Sequence, residues 1–367
     1  MRSGRSDLVL YDAPPPLLGR LAAQPPASRE RDFLALCRLA MRICIYGAGS
    51  VGGYLAGFLA RGGNDVSVVA RGAHLAAIRA HGLTVETPDG SVNVKLPASD
   101  DPRELGQHDG IIVTVKAPAL PDVARAIAPL LGPDTAVAFP MNGIPWWYFH
   151  AHGGPFADRR LPRLDPDDAL WNALGPRRAI GGIFWPACSV PAPGVVRLLT
   201  GAGRGTVFGE PDGRTTPRIE ALAAAFRAAD LPVTVAGNIR ELIWQKLAFN
   251  LSAGPMCVLT QSPVRATHEE AALIECSRRM LAEVEAIAAA MGYRLGIDAD
   301  HVVATNTKLA HRPSILQDLE AGRPMEIDAL YSVPLEMARL MGVATPTLDL
   351  LVSMIKLRAR AAGLYAG

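Results

Sequence analysis

Two stretches carry residue types at spacings that could do chemistry. In Asn238–Ala253, the residues Ile239, Ile243, Lys246 and Asn250 follow at intervals of four, three and four, so on a helix they share one face. That face begins apolar and ends in a lysine and an asparagine. A lysine on an inward stripe is partly desolvated, which makes its ammonium a usable proton donor, and Asn250 one turn on can bind the same ligand oxygen. A plain alternative is a lysine that packs its stem and keeps its charge in water. The second stretch, Arg42–Gly53, joins the apolar run Ile43-Cys44-Ile45-Tyr46 to Gly47-Ala48-Gly49-Ser50-Val51-Gly52, a complete G-x-G-x-x-G. Gly47 allows the tight turn, Gly49 lets a pyrophosphate approach the backbone, and Gly52 lets the following helix pack on the strand. Phosphates would then sit on the free N–H groups of this turn and helix N-terminus.

These residues need a frame. After the first strand, a helical pattern covers about Val51–Arg61, a second strand Asp65–Ala70 and a short helix Ala73–Ala80. A hairpin is expected around Pro88-Asp89-Gly90, a buried strand at Gly110–Val115, a helix near Leu120–Leu131 and a strand at Thr135–Pro140. Strands alternating with helices predict a parallel sheet. Further strands are expected at Ala179–Pro186, Val195–Leu199 and Gly205–Gly209. Between them Trp146-Trp147-Tyr148-Phe149 and a Pro-rich loop to Asp168 read equally as a pocket wall or as an insertion held down by its own aromatics.

From about Gly237 the pattern is helical throughout, near Ile239–Ala253, His268–Met291, Asp298–Ala310, Ile315–Glu320, Glu326–Met341 and Thr347–Ala362. Thr267-x-x-Glu270 and Ser314-x-x-Gln317 read as capping boxes, Gly292 as a helix stop, and Glu326 as an acid suited to a helix dipole. The expected class is α/β. A Rossmann-type NADP-binding domain (residues 41–236) precedes an all-helical domain (residues 237–364), with the site in the cleft between them. Residues 1–40 are Pro- and Arg-rich without period and read as a disordered extension or an over-long start before Met41.

Composition narrows the class. A chain of 367 residues is long enough for two domains, and a net charge of +2 with interspersed signs gives no nucleic-acid footprint. Five scattered cysteines without a C-x-x-C suit reduced thiols, and the expected location is cytoplasmic. No apolar run reaches membrane-spanning length, and no metal signature is present. The strand at Asp65–Ala70 is followed by Arg71 with no acidic residue, so a ribose 2′-phosphate, hence NADP(H), is favoured over NAD. A solvated surface arginine is the plain alternative.

With these residues in place, the chain resembles the ketopantoate reductase (2-dehydropantoate 2-reductase) family over about Met41–Ala362. The marks are GAGSVGG, Thr114-Val-Lys116-Ala, Asn142-Gly143, Asn238-Ile-Arg240, Trp244-Gln-Lys246-Leu-Ala-Phe-Asn250, Ser314-Ile-Leu-Gln317-Asp318 and Glu326-Ile-Asp328. The resemblance implies NADPH-dependent reduction of a small 2-keto acid to a 2-hydroxy acid in pantothenate biosynthesis. It implies Lys246 as general acid and Asn142, Asn250 and Ser314 as substrate ligands supported by Glu326. Arg71, Lys116 and Asn142 would serve the cofactor. It leaves a homodimer open. The chain departs from the family pattern at Gly254, where a second asparagine is usual, and at Pro313, where a first serine is usual. With Trp146 and Trp147 close in sequence to Asn142, these departures suggest a more apolar pocket that accepts other bulky keto acids. A β-hydroxyacid dehydrogenase and a non-catalytic NADP(H)-sensing protein are the competing classes.

Overall fold

The protein is described over residues 40–200, 203 and 205–367 from a computed structural model. Apart from Ala40, the expected N-terminal extension lies outside the described residues.

The chain opens with β1 (Arg42–Tyr46), α1 (Ser50–Arg61), β2 (Asp65–Val69) and α2 (Gly72–His81). The hairpin β3 (Leu83–Thr87) and β4 (Gly90–Val94) follows, then β5 (Ala98–Ser99), β6 (His108–Val113), α3 (Leu120–Ala126) and β7 (Leu131–Phe139). An irregular segment holds α4 (Ala169–Ala173). Next come β8 (Ala179–Phe184), β9 (Ala187–Ala192), β10 (Val195–Thr200), β11 (Thr206–Gly209), α5 (Pro217–Ala228) and β12 (Val233–Val235). The remainder is α6 (Ile239–Thr260), α7 (Ala271–Ala290), α8 (Ala299–Asn306), α9 (Ser314–Glu320), α10 (Val333–Leu340) and α11 (Pro346–Ala361). It is an α/β protein whose sheet-bearing N-terminal part precedes a helical C-terminal part.

The main sheet has the order β12-β11-β8-β7-β6-β1-β2-β5. From β5 to β8 the strands run parallel, as expected. At the other edge β11 pairs antiparallel with β8, and β12 follows β11 in parallel. The expectation of a wholly parallel sheet fails there because, among the described residues, no α-helical crossover joins β8 to β11. Their connection enters a second sheet, β4-β3-β10-β9, instead. In β1, Ile43 and Ile45 join one core layer and Cys44 and Tyr46 the other, so both faces are covered, which explains the unbroken apolar run.

Three expectations are corrected. Trp146 and Trp147 are core residues, 1% and 0% exposed, rather than a pocket wall. Trp147 packs over β8, where a Cβ at Gly181 would lie 2.8 Å from its ring. Neither capping box forms. Thr267 is buried and its hydroxyl donates to the Val264 carbonyl at 2.8 Å, so α7 begins later, with Glu270 at its N-cap. Pro313 takes the N-cap of α9 and Ser314 makes no cap bond. Gln317 Nε2 donates instead to the Arg312 carbonyl at 2.7 Å.

Candidate active site

The glycine fingerprint hangs on the end of β2. The amides of Gly47 and Ala48 both donate to the Val69 carbonyl, at 3.0 and 3.1 Å. Gly47 has φ +106°, a conformation that favours glycine, and a Cβ there would meet Val115 Cγ1 at 2.7 Å. The Thr114 hydroxyl donates to the Gly47 carbonyl at 2.7 Å and fixes the turn from the β6 side. Gly49 is the N-cap of α1 and offers no side-chain cap bond, so the first-turn N–H groups of α1 are not capped by a side chain.

A cleft of about 630 Å³ opens in front of this turn. Gly47, Ala48, Gly49, Ser50 and Val51 line it, with Arg71, Lys116, Asn142 and Glu326. Gly52 does not line it, because it sits behind the turn, where a Cβ would lie 2.1 Å from the Gly47 carbonyl oxygen. These residues fit a dinucleotide: at Gly49 an added Cβ would meet nothing within 4 Å, which leaves open space in front of the bare backbone. Arg71 is mostly exposed, 3.8 Å from Asp122, at the far end.

The sequence reasoning missed the lining contributed by His74 and by Val190–Pro193. Gly194 N–H donates to His74 Nδ1 at 2.9 Å, which ties the β9–β10 turn to α2 beside the cleft. Burial holds this imidazole's pKa below its ordinary value. The signal was absent because β9 belongs to a second sheet that no local pattern announced.

The other end of the cleft is clasped by the helical part. Gly143, with φ +79°, lets the loop after β7 press against the Ala329 backbone, and Ile144 N–H donates to the Ala329 carbonyl at 2.9 Å. This brings Asn142 Nδ2 to Glu326 Oε2 at 3.3 Å, while Glu326 Oε1 accepts from the Ala117 amide at 3.2 Å. Glu326 thus bonds across to the sheet half, and it precedes the helical turn that the sequence expected it to open. It is 4% exposed, and burial pushes its carboxyl above the usual range. Lys116 pairs with Asp318, a buried carboxylate that also takes Arg323 at 3.0 Å.

Lys246, Asn250 and Ser314 do not line this cleft. On α6, Ile239 and Ile243 are buried and Lys246 and Asn250 half-buried, as the stripe predicted. Lys246 Nζ donates to the Phe184 carbonyl at 2.7 Å and lies 5.6 Å from the centre of the Trp185 ring. Phe139 of β7 pairs with Gly181 of β8, so Asn142 and Phe184 each lie three residues past a paired position. Lys246 and Asn142 therefore meet the same carboxyl edge of adjacent strands, where open α/β sheets bind ligands. Ser314 is exposed at the start of α9. The missed positioning residue is Arg240, 6% exposed, which donates to the Tyr148 carbonyl at 2.7 Å and to the carbonyls of His150 and Pro211. With Trp244 Nε1 on the Tyr148 hydroxyl at 2.8 Å, it pins the first turns of α6 to the aromatic segment.

Among the described residues no helix is long and apolar enough to cross a membrane, and no cluster of His, Cys, Asp and Glu could hold a metal ion.

A fingerprint turn, a dinucleotide cleft and a lysine at the sheet's carboxyl edge define a nicotinamide-dependent oxidoreductase. Family models described as "Ketopantoate reductase PanE/ApbA" and "Ketopantoate reductase PanE/ApbA C terminal" match residues 43–213 and 238–359. The chain belongs to the ketopantoate reductase family, NADP-dependent oxidoreductases acting on CH–OH groups, and its reaction is of that type. It is 41% identical to the 2-dehydropantoate 2-reductase of Mesorhizobium japonicum, over 89% of this chain and 100% of that one. A crystal structure of 2-dehydropantoate 2-reductase from Geobacter metallireducens GS-15 superposes with TM-score 0.76 at 28% identity, covering 86% of this chain and 99% of that one. The PanE/ApbA family ketopantoate reductase from Ralstonia eutropha JMP134 gives 0.75 at 27%, covering 88% and 100%.

Proposed function

We propose that this protein reduces 2-dehydropantoate to pantoate with NADPH, supplying pantothenate synthesis. The cofactor, when bound, supplies a hydride to the keto carbon. The chain's own residues do the rest. Residues 47–51 hold the pyrophosphate with Gly52 packing the helix behind them, and Arg71 pairs with the 2′-phosphate. Lys116 and Asn142 serve the nicotinamide end. Lys246 stabilises the developing alkoxide as a cation and then donates its proton to that oxygen. Asn250 and Ser314 orient the keto acid, and Glu326 holds Asn142. The functional division falls at residues 236/237.

The observation that carries this reading is the Lys246 ammonium at the sheet's carboxyl edge, level with Asn142. The test is NADPH oxidation against a panel of branched and aromatic 2-keto acids. Turnover of 2-dehydropantoate supports the reading, and turnover of other keto acids alone would move the protein to a different substrate within the same chemistry. The β-hydroxyacid dehydrogenase alternative is set aside by the family match over both parts of the chain.

A further inference from the structure

Lys246, Asn250 and Gly254 follow one another at intervals of four on α6, so the face that bears the lysine continues to a glycine. The place of that missing side chain is taken from a neighbouring element. A Cβ on Gly254 would lie 3.0 Å from the Tyr331 hydroxyl and 3.6 Å from Ile315 Cγ2. Tyr331 is 0% exposed, and its hydroxyl has no hydrogen-bond partner among the described residues. Buried hydroxyls are almost always bonded, so an orphan beside a catalytic stripe calls for a partner.

The local backbone points the same way. Tyr331 belongs to a π-helical turn, Asp328–Ser332, closed by Val333 N–H on the Asp328 carbonyl. Such turns are rare and concentrate at functional sites. This turn also carries Ala329, the docking point of Gly143, and it begins two residues after Glu326. The turn that carries Tyr331 is thus the one docked on the Gly143 loop, next to Asn142. Burial, with Cys257 and Glu326 as the ionisable groups that act on it, keeps the hydroxyl protonated far above its ordinary value, so it acts as a neutral donor or acceptor.

From these observations we infer that the Tyr331 hydroxyl is a specificity-determining group that hydrogen-bonds an oxygen of the keto acid remote from its carbonyl. Positions 246 and 254 lie two turns apart on one face of α6, so a keto acid whose carbonyl oxygen meets Lys246 can extend its far end toward Gly254 and the Tyr331 hydroxyl. The inference rests on the proposed 2-keto acid reduction and adds how the distal hydroxyl is read despite Gly254.

The test compares 2-dehydropantoate with 3,3-dimethyl-2-oxobutanoate, in which a methyl replaces the CH2OH group. For the full chain, kcat/KM should favour the hydroxylated substrate. Tyr331→Phe should lower kcat/KM for 2-dehydropantoate by about ten-fold and leave the methyl analogue within about two-fold, a loss of the size one neutral hydrogen bond gives. Its Tm should not fall, because the hydroxyl removed has no protein partner. Gly254→Ala, whose new methyl crowds the hydroxyl at 3.0 Å and pushes it by a few tenths of an ångström, should produce a selective loss in the same direction, and the double variant should lose no more than Tyr331→Phe alone. An unchanged substrate ratio in Tyr331→Phe, or an equal loss for both substrates with a lowered Tm, overturns the inference. Failure of the unmutated protein to reduce either acid overturns the proposed function, and this inference with it.

Discussion

Lys246 reaches from the middle of α6 to the end of β8, where its Nζ donates to the Phe184 carbonyl at 2.7 Å. One bond joins the helical part to the sheet at the point where hydride transfer would leave an alkoxide. A substrate oxygen would compete for the same ammonium. General acid–base catalysis contributes about 10²–10⁴-fold, so Lys246→Ala should lower kcat by that factor while NADPH still binds. Lys246→Arg should rescue little, since a guanidinium does not give up its proton. Steady-state kinetics with an NADPH fluorescence titration check both. Retention of more than about half the turnover in Lys246→Ala would make this face structural.

Arg71 follows β2, 3.8 Å from Asp122, and is exposed enough to swing toward a ligand. A charge-assisted bond to a 2′-phosphate is worth about 1.5–3 kcal/mol. Arg71→Ala should therefore raise the NADPH KM by roughly ten-fold or more and leave NADH nearly unaffected. Equal use of NADPH and NADH by the unmutated protein would remove Arg71 from this role.

How much of this was legible in the sequence depends on how local each signal is. The fingerprint turn, the hairpin at Gly90 and the Lys246 stripe depend on neighbours within a few residues, and all three stand as expected. The helix Pro217–Ala228 went unrecognised although Pro217 sits in its first turn and Ile219, Leu222, Ala223 and Phe226 form its buried face. That signal was present in the sequence. Others were not. Trp147 is placed by the bare backbone of β8 and by Arg240, and Trp146 by Phe139 and Trp171, contacts that no local spacing announces. Thr267 matches a capping box, but burial turns its hydroxyl to Val264. The pairing of Glu326 with Ala117 and Asn142 spans about half the chain, and no spacing rule reaches that far.

Glu326 gives a pH signature. Burial raises its carboxyl above the ordinary value, more than the Ala117 amide, Lys116 and Asn142 pull it back, with Asp318 pushing the same way as burial. The folded state therefore holds this proton more tightly than the unfolded chain, whose glutamates titrate near pH ~4.3. The stabilisation from the protonated form is full below that pH and is lost as pH rises through the folded-state value. Glu326→Gln stays neutral, so its Tm relative to the unmutated protein should rise between pH 4 and pH 8. A Tm difference that does not change with pH would contradict the buried-carboxyl account.

The glycines of the fingerprint divide their work, and two substitutions separate it. At Gly52 an added Cβ would lie 2.1 Å from the Gly47 carbonyl oxygen, 2.4 Å from Thr114 Oγ1 and 2.9 Å from Ile45 Cγ2. The Gly47 oxygen is a backbone atom of the turn and cannot step aside, so α1 must lift from the sheet. Overpacking of this kind costs about 1–3 kcal/mol, and Gly52→Ala should lower Tm even without cofactor. At Gly49 nothing lies within 4 Å of the added carbon, and φ is −68°, which any residue adopts. Gly49→Ala should keep its Tm, but its methyl would stand where the pyrophosphate meets the bare backbone. NADPH affinity should then fall while stability does not. Thermal melts of the cofactor-free variants, paired with NADPH titration, read the two effects independently. If Gly49→Ala bound NADPH as the unmutated protein does, the pyrophosphate would not lie on this turn.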